Sequence, residues 1–85
     1  MRVQVKLYAT LREYAPSDNE IGTSFDVELK GSTIEDLIKF FGFEFDKAKI
    51  IMVNGTRVFD LKIALNEDDL IVIFPPVGGG GFLTG

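Results

Sequence analysis

The sequence predicts an α+β fold: a mixed sheet of about five strands with one main helix packed across one face. Three observations point to it. Stretches with the two-residue alternation of a strand, or with a continuous apolar run of strand length, recur from the first residues to the mid-seventies. A single segment carries a complete helix signature, with a start, an apolar stripe and a stop. An Asn-Gly pair separates two of the strand-like stretches.

The elements follow in chain order. Val3, Val5 and Leu7 alternate with Gln4 and Lys6, as in a half-buried strand. Tyr8 to Ala15 reads as a short helix or an irregular connection, and Pro16-Ser17-Asp18-Asn19 closes it with turn chemistry. Phe25, Val27 and Leu29 alternate with Asp26 and Glu28, a second strand. Ser32 and Glu35 have the spacing of a capping box, with Thr33 as an alternative cap. Ile34, Leu37, Ile38 and Phe41 then form one apolar stripe, and Gly42 is the stop. Phe43 and Phe45 are expected to pack the helix exit against the body. Ile50 to Val53 reads as a central strand, Asn54-Gly55 as a type I′ turn, and Thr56 to Phe59 as the return strand. Asn66 to Asp69 is an acidic turn. Leu70 to Phe74 is the last strand, apolar throughout and so expected to be buried on both faces, beside the first strand. Pro75-Pro76 ends it, because neither residue can donate to a ladder. One helix cannot cover both faces of such a sheet, and the economical arrangement is a β-grasp over residues 1–77.

Composition narrows the function. The 85 residues suit one domain with a modest core. There is no Cys and no His. Disulfides, thiolate metal sites and iron–sulfur ligation are therefore excluded, together with the commonest general base. No nucleophile–base pair is evident, so an enzyme is the least favoured class. The net charge of −4 argues against nucleic acid and suits a basic protein partner. The N-terminus does not read as a signal peptide, and no apolar run approaches the roughly 20 residues of a membrane span. A cytoplasmic protein is the expectation. Glu67-Asp68-Asp69 reads as a solvated turn rather than a metal site, since adjacent carboxylates do not converge. No metal site is expected. The Phe-rich set (Phe25, Phe40, Phe41, Phe43, Phe45, Phe59, Phe74) reads mostly as core, with Phe40 and Phe74 as candidate docking anchors.

The last eight residues have a different character. Gly78 to Gly81 are consecutive glycines, followed by Phe82-Leu83-Thr84-Gly85. Ordering a backbone residue costs about 1–2 kcal/mol, and glycine loses the most freedom. Residues 78–85 are expected to form a flexible arm. Fully extended, Val77 to Gly80 would span about 13–14 Å. Without Cβ atoms, these glycines would fit a channel too narrow for other residues. Composition alone fits a flexible terminus or a fusion scar equally well.

At this point the chain resembles a known family. Val5-Lys6-Leu7-Tyr8-Ala9-Thr10-Leu11-Arg12-Glu13 is similar to the opening strand and "LRE" segment of the MoaD/ThiS family. The likeness is to its molybdopterin-synthase small-subunit branch. Val53-Asn54-Gly55 looks like that family's hairpin. Asp68 through Phe74-Pro75-Pro76-Val77-Gly78-Gly79-Gly80 looks like its closing strand and glycine end. The resemblance implies a ubiquitin-like β-grasp and a sulfur carrier. An E1-like enzyme would adenylate the terminal glycine carboxylate with ATP and convert it to a thiocarboxylate with a sulfur donor. The carrier would bind no cofactor itself. The sulfur would pass to a molybdopterin precursor on a large catalytic subunit. The resemblance places the reactive carboxylate at Gly80, with Gly81 as the alternative. It makes Val77, Gly78 and Gly79 the part inside a partner's channel, and Phe74, Pro75, Pro76 and Arg12 the docking contacts. Arg12 fits an ordinary surface role as well. One departure matters: family members end at the Gly-Gly, whereas five residues follow Gly80 here. A tail-processing protease is therefore expected. A ubiquitin-like modifier joined to lysines, and a β-grasp binding module that transfers nothing, remain the alternatives.

Overall fold

A computed structural model describes residues 1–76 of the chain. Strand β1 (Arg2–Leu7) leads through a 3-10 segment (Ala9–Tyr14) to β2 (Phe25–Glu28). Helix α1 (Ile34–Phe41) follows, then a short 3-10 turn (Phe45–Lys47), β3 (Ile50–Val53), β4 (Thr56–Val58) and β5 (Leu70–Phe74). The strands form one mixed sheet in the order β2-β1-β5-β3-β4. β1 and β5 are parallel, and the other neighbours are antiparallel. The expected β-grasp is thus observed, with β5 in the sheet interior beside β1.

Register divides the sheet into two faces. Leu7, Ile73, Ile51 and Val58 lie in one row across four strands, and Phe25, Val5, Ile71 and Val53 in another. These rows face α1, which contributes buried Ile34, Leu37 and Ile38. Full burial of such a side chain is worth about 1.5–3 kcal/mol each, so this layer dominates stability. Leu11, Leu29, Phe43 and Leu65 close its margins.

The helix is short, at 8 residues, and a helix of that length is marginal without tertiary support. Its start is fixed by Thr33, the alternative cap, together with Asp36, and not by the Ser32–Glu35 pair. The Thr33 hydroxyl accepts from the Asp36 N–H at 3.1 Å. The Asp36 carboxylate in turn accepts from the N–H groups of Ser32 and Thr33 at 2.9 and 3.1 Å. Gly31 leaves room for this arrangement: a Cβ there would strike the Asp36 carboxylate. Gly42 ends the helix at φ 83°, and Asn54 and Gly55 take φ 50° and 86°, as a two-residue I′ turn requires.

Two expectations are corrected. β5 is not buried on both faces: Ile71 and Ile73 are fully buried, but Leu70, Val72 and Phe74 are only half-buried. The single helix covers one face, and among the described residues no second layer covers the other. The Phe set is also not mostly core. Phe43 alone is buried, Phe25, Phe41 and Phe74 are half-buried, and Phe40, Phe45 and Phe59 are exposed. Phe45 therefore leaves Phe43 to pack the helix exit, edge-on to Tyr14 and stacked on Phe41.

Candidate functional site

The C-terminal end of β5 is where the sheet releases the chain. Phe74 pairs with Ile50, and its carbonyl accepts from the Lys49 N–H at 2.9 Å. Tyr8, one residue past the end of β1, stacks on the Phe74 ring with centroids 4.7 Å apart and planes 13° apart. The Tyr8 N–H also reaches the Ile73 carbonyl at 3.3 Å. Both backbone and ring contacts therefore hold the last strand residue from two sides. Pro75 is half-buried and Pro76 is exposed. Neither has an N–H to continue the ladder, so the chain leaves the sheet there. Val77, Gly78, Gly79, Gly80 and Gly81, the expected channel and reactive residues, lie outside the described residues, as does the rest of the expected arm.

The outer face of the sheet is continuous with this exit. Lys6, Val72, Met52 and Arg57 align in one row, and Phe74 and Ile50 form the next. Phe74, Val72, Met52 and Ile50 are half-buried, which leaves an apolar stripe bordered by two cations, Lys6 and Arg57. Such a centre with a charged rim has the anatomy of an interface. Sequence reasoning found Phe74 but missed Tyr8, Ile50, Met52 and Val72. The signal was present: two all-apolar strands exceed what one helix can cover.

Arg12 is placed differently from Phe74. Its guanidinium donates to the Asn19 side-chain oxygen at 2.6 Å and to the Asn19 carbonyl. It thus ties the 3-10 segment to the loop before β2. The acidic turn is likewise occupied in pieces. Asp68 pairs with Arg2 at 3.0 Å, and this bond raises the Arg2 pKa above its ordinary value. The Glu67 carboxylate accepts from the Arg2 N–H at 3.2 Å, and Asp69 accepts from the Asn54 side chain at 2.9 Å. These carboxylates pin the β3–β4 turn and the entry to β5, and they do not converge on a common point. Among the described residues no cluster of His, Cys, Asp or Glu is placed to hold a metal. No described helix is long and apolar enough to cross a membrane.

Comparison with known proteins agrees with the geometry. Among solved structures, a protein named as a candidate molybdopterin converting factor subunit 1, from Pyrococcus furiosus, is 28% identical with a TM-score of 0.61. That match covers 89% of this chain and 98% of that one. Small archaeal modifier protein 1 of Haloferax volcanii is 25% identical with a TM-score of 0.62, over 89% of this chain and 98% of that one. A chain of the complex of subunits 1 and 2 of molybdopterin-converting factor from Helicobacter pylori is 21% identical with a TM-score of 0.59. It covers 94% of this chain and 100% of that one, and it shows the fold alone. No curated protein sequence matches at a significant level. A family model matches residues 5–80, from within β1 through the exit and up to Gly80, and on that match the chain belongs to the ThiS family of small ubiquitin-like sulfur carriers.

Proposed function

We propose that this chain carries sulfur for molybdopterin synthesis through a C-terminal carboxylate exposed at Gly80, or at Gly81, once a protease removes the residues beyond it. The observation that carries the reading is the extent of the family match, which ends at Gly80 while five further residues follow. With a peptide bond after Gly80, no carboxylate exists there to activate.

The chemistry is then simple. A free carboxylate is a poor electrophile. Its oxygen attacks the α-phosphorus of ATP on an E1-like enzyme, pyrophosphate leaves, and an acyl adenylate forms. Hydrosulfide supplied by the donor attacks the acyl carbon, AMP leaves with the electron pair of the broken C–O bond, and after loss of the S–H proton the thiocarboxylate remains. Each step uses groups of the partner, which is why a carrier needs neither His nor Cys. The chain's own part is to dock and to present the arm. Tyr8 and Phe74 hold the root of the arm, and the stripe of Val72, Met52 and Ile50 offers an apolar surface next to it. The large synthase subunit is proposed as the acceptor's host, by analogy with the Helicobacter pylori structure, in which subunits 1 and 2 form a complex.

A second reading is favoured by the likeness to small archaeal modifier protein 1. In that case a lysine amine, rather than sulfur, displaces AMP and an isopeptide bond results. Incubating the Gly80-terminated chain with ATP, an E1-like enzyme and a sulfur donor separates the two. A mass gain of one sulfur-for-oxygen exchange supports the carrier. Conjugates to target lysines without a thiocarboxylate support the modifier.

A further inference from the structure

The geometry points to a second docking site at the free edge of β2, which takes an extended protein segment with alternating basic and apolar residues. It lies at the margin of the sheet, with β1 between it and the strand that releases the arm.

The backbone parity is fixed. Met1 and Leu29 exchange both hydrogen bonds, Met1 N to Leu29 O at 2.8 Å and Leu29 N to Met1 O at 2.7 Å. Reciprocal pairs recur every second residue in an antiparallel ladder. Val27 and Phe25 therefore also point their backbone groups at β1, across from Val3 and Val5. Asp26 and Glu28 point theirs away from it. Among the described residues β2 pairs with β1 alone, and no group takes the N–H and C=O of Asp26 and Glu28. An added strand would find that edge ready.

Beside the same edge lies an open groove of about 350 Å³, between β2 and α1. Tyr14, Pro16, Phe25, Val27, Phe40 and Phe41 line it. Phe40 is 54% exposed although it sits on a helix beside packed aromatics. Its ring meets Phe41 edge-on at 5.2 Å, and Phe41 meets Phe25 at 6.1 Å. An incoming strand's residue opposite Val27 would project to this side, onto apolar and aromatic surface.

Charge selects the occupant. Residues directly opposite one another share a face, and like charges there repel. Positions opposite Asp26 and Glu28 therefore favour Lys or Arg. Within the fold β2 already faces such a strand, with Arg2 opposite Glu28, Gln4 opposite Asp26, and Val3 opposite Val27. A second copy of this chain is disfavoured. A two-fold register that pairs the outward-facing positions 26 and 28 among themselves sets Asp26 or Glu28 against a carboxylate.

The test titrates the isotope-labelled full chain with a capped peptide, Ser-Ile-Lys-Val-Lys-Ile-Ser, and follows the amides by NMR. Shifts are expected at Asp26, Val27, Glu28 and Phe40. Binding should weaken roughly tenfold in Glu28→Lys, by exchange of an attractive for a repulsive cross-strand pair. It should also weaken in Phe40→Ala and persist in Phe59→Ala, an exposed residue after β4. Four results would overturn the assignment. The peptide with Glu in place of Lys binds equally well. The shifts fall on β4 or on the outer sheet face. The β2 amides shift with protein concentration alone, which identifies a second copy. Removal of residues 81–85 moves the β2 amides before peptide is added, which identifies the chain's own terminus.

Discussion

Replacing Phe74 with Ala removes a ring at the root of the arm while leaving the strand in place. The backbone of Phe74 stays paired to Ile50 and bonded to the Lys49 N–H, so the loss belongs to the side chain. A fully buried Phe→Ala change costs about 3–5 kcal/mol. Phe74 is half-buried and faces outward, so no closed cavity forms, and about 2 kcal/mol is expected by halving that range. Of this, the stack with Tyr8 supplies about 1 kcal/mol. Phe74→Leu retains most of the apolar area and loses only the stack. It should therefore cost about 1 kcal/mol, or roughly 4–8 °C in Tm for a domain of this size. Urea denaturation of Tyr8→Ala, Phe74→Ala and the double variant measures the coupling directly. A coupling near 1 kcal/mol is predicted. Additivity to within about 0.3 kcal/mol would refute the stacked pair and, with it, the claim that the arm leaves from a braced root.

Further predictions concern the helix start and the hairpin. Asp36 is held below its ordinary value of 3.8, chiefly by the Ser32 N–H, then by the Thr33 hydroxyl and N–H. A lowered folded value means that its contribution is present above the ordinary value and is lost as pH falls through the folded one. The Tm gap between the wild type and Asp36→Asn should therefore be open at neutral pH and close on acidification, and a gap independent of pH would contradict the cap. Thr33→Ala should cost about 1 kcal/mol in denaturant titration. Gly31→Ala should cost a similar amount by displacing the same carboxylate, and the two changes together should cost less than their sum. Gly55→Ala meets no atom within 4 Å. Its cost should be that of a left-handed residue alone, about 1–2 kcal/mol, and a neutral effect would contradict the I′ turn.

Much of this architecture was legible because local rules and the sheet agree. The alternation in β1 and β2, Gly42 as a stop and Asn54-Gly55 as a turn each specify their backbone without reference to distant residues. Misreadings arose where the decision was tertiary. Ser32–Glu35 and Thr33–Asp36 share one spacing, and tertiary contacts separate them: Asp36 comes close to Gly31, and the Glu35 N–H that a Ser32 cap would use donates to the Leu61 carbonyl. An all-apolar β5 reads as a strand covered on both sides, and that its outer face is left uncovered among the described residues becomes visible only when α1 is seen to occupy one side. The Tyr8–Phe74 stack joins residues far apart in sequence through the parallel β1–β5 pairing. For Arg12 the sequence offered a charge, and its link to Asn19 depended on how the loop before β2 folds back.

The account turns on whether the chain works from a new terminus at its glycines. Intact-mass analysis of the protein from its native cells, before and after incubation with ATP, an E1-like enzyme and a sulfur donor, tests this most directly. A chain ending at Gly80 or Gly81 that gains one sulfur-for-oxygen exchange is predicted. A chain that persists with its terminus at Gly85 and takes up no sulfur would contradict it.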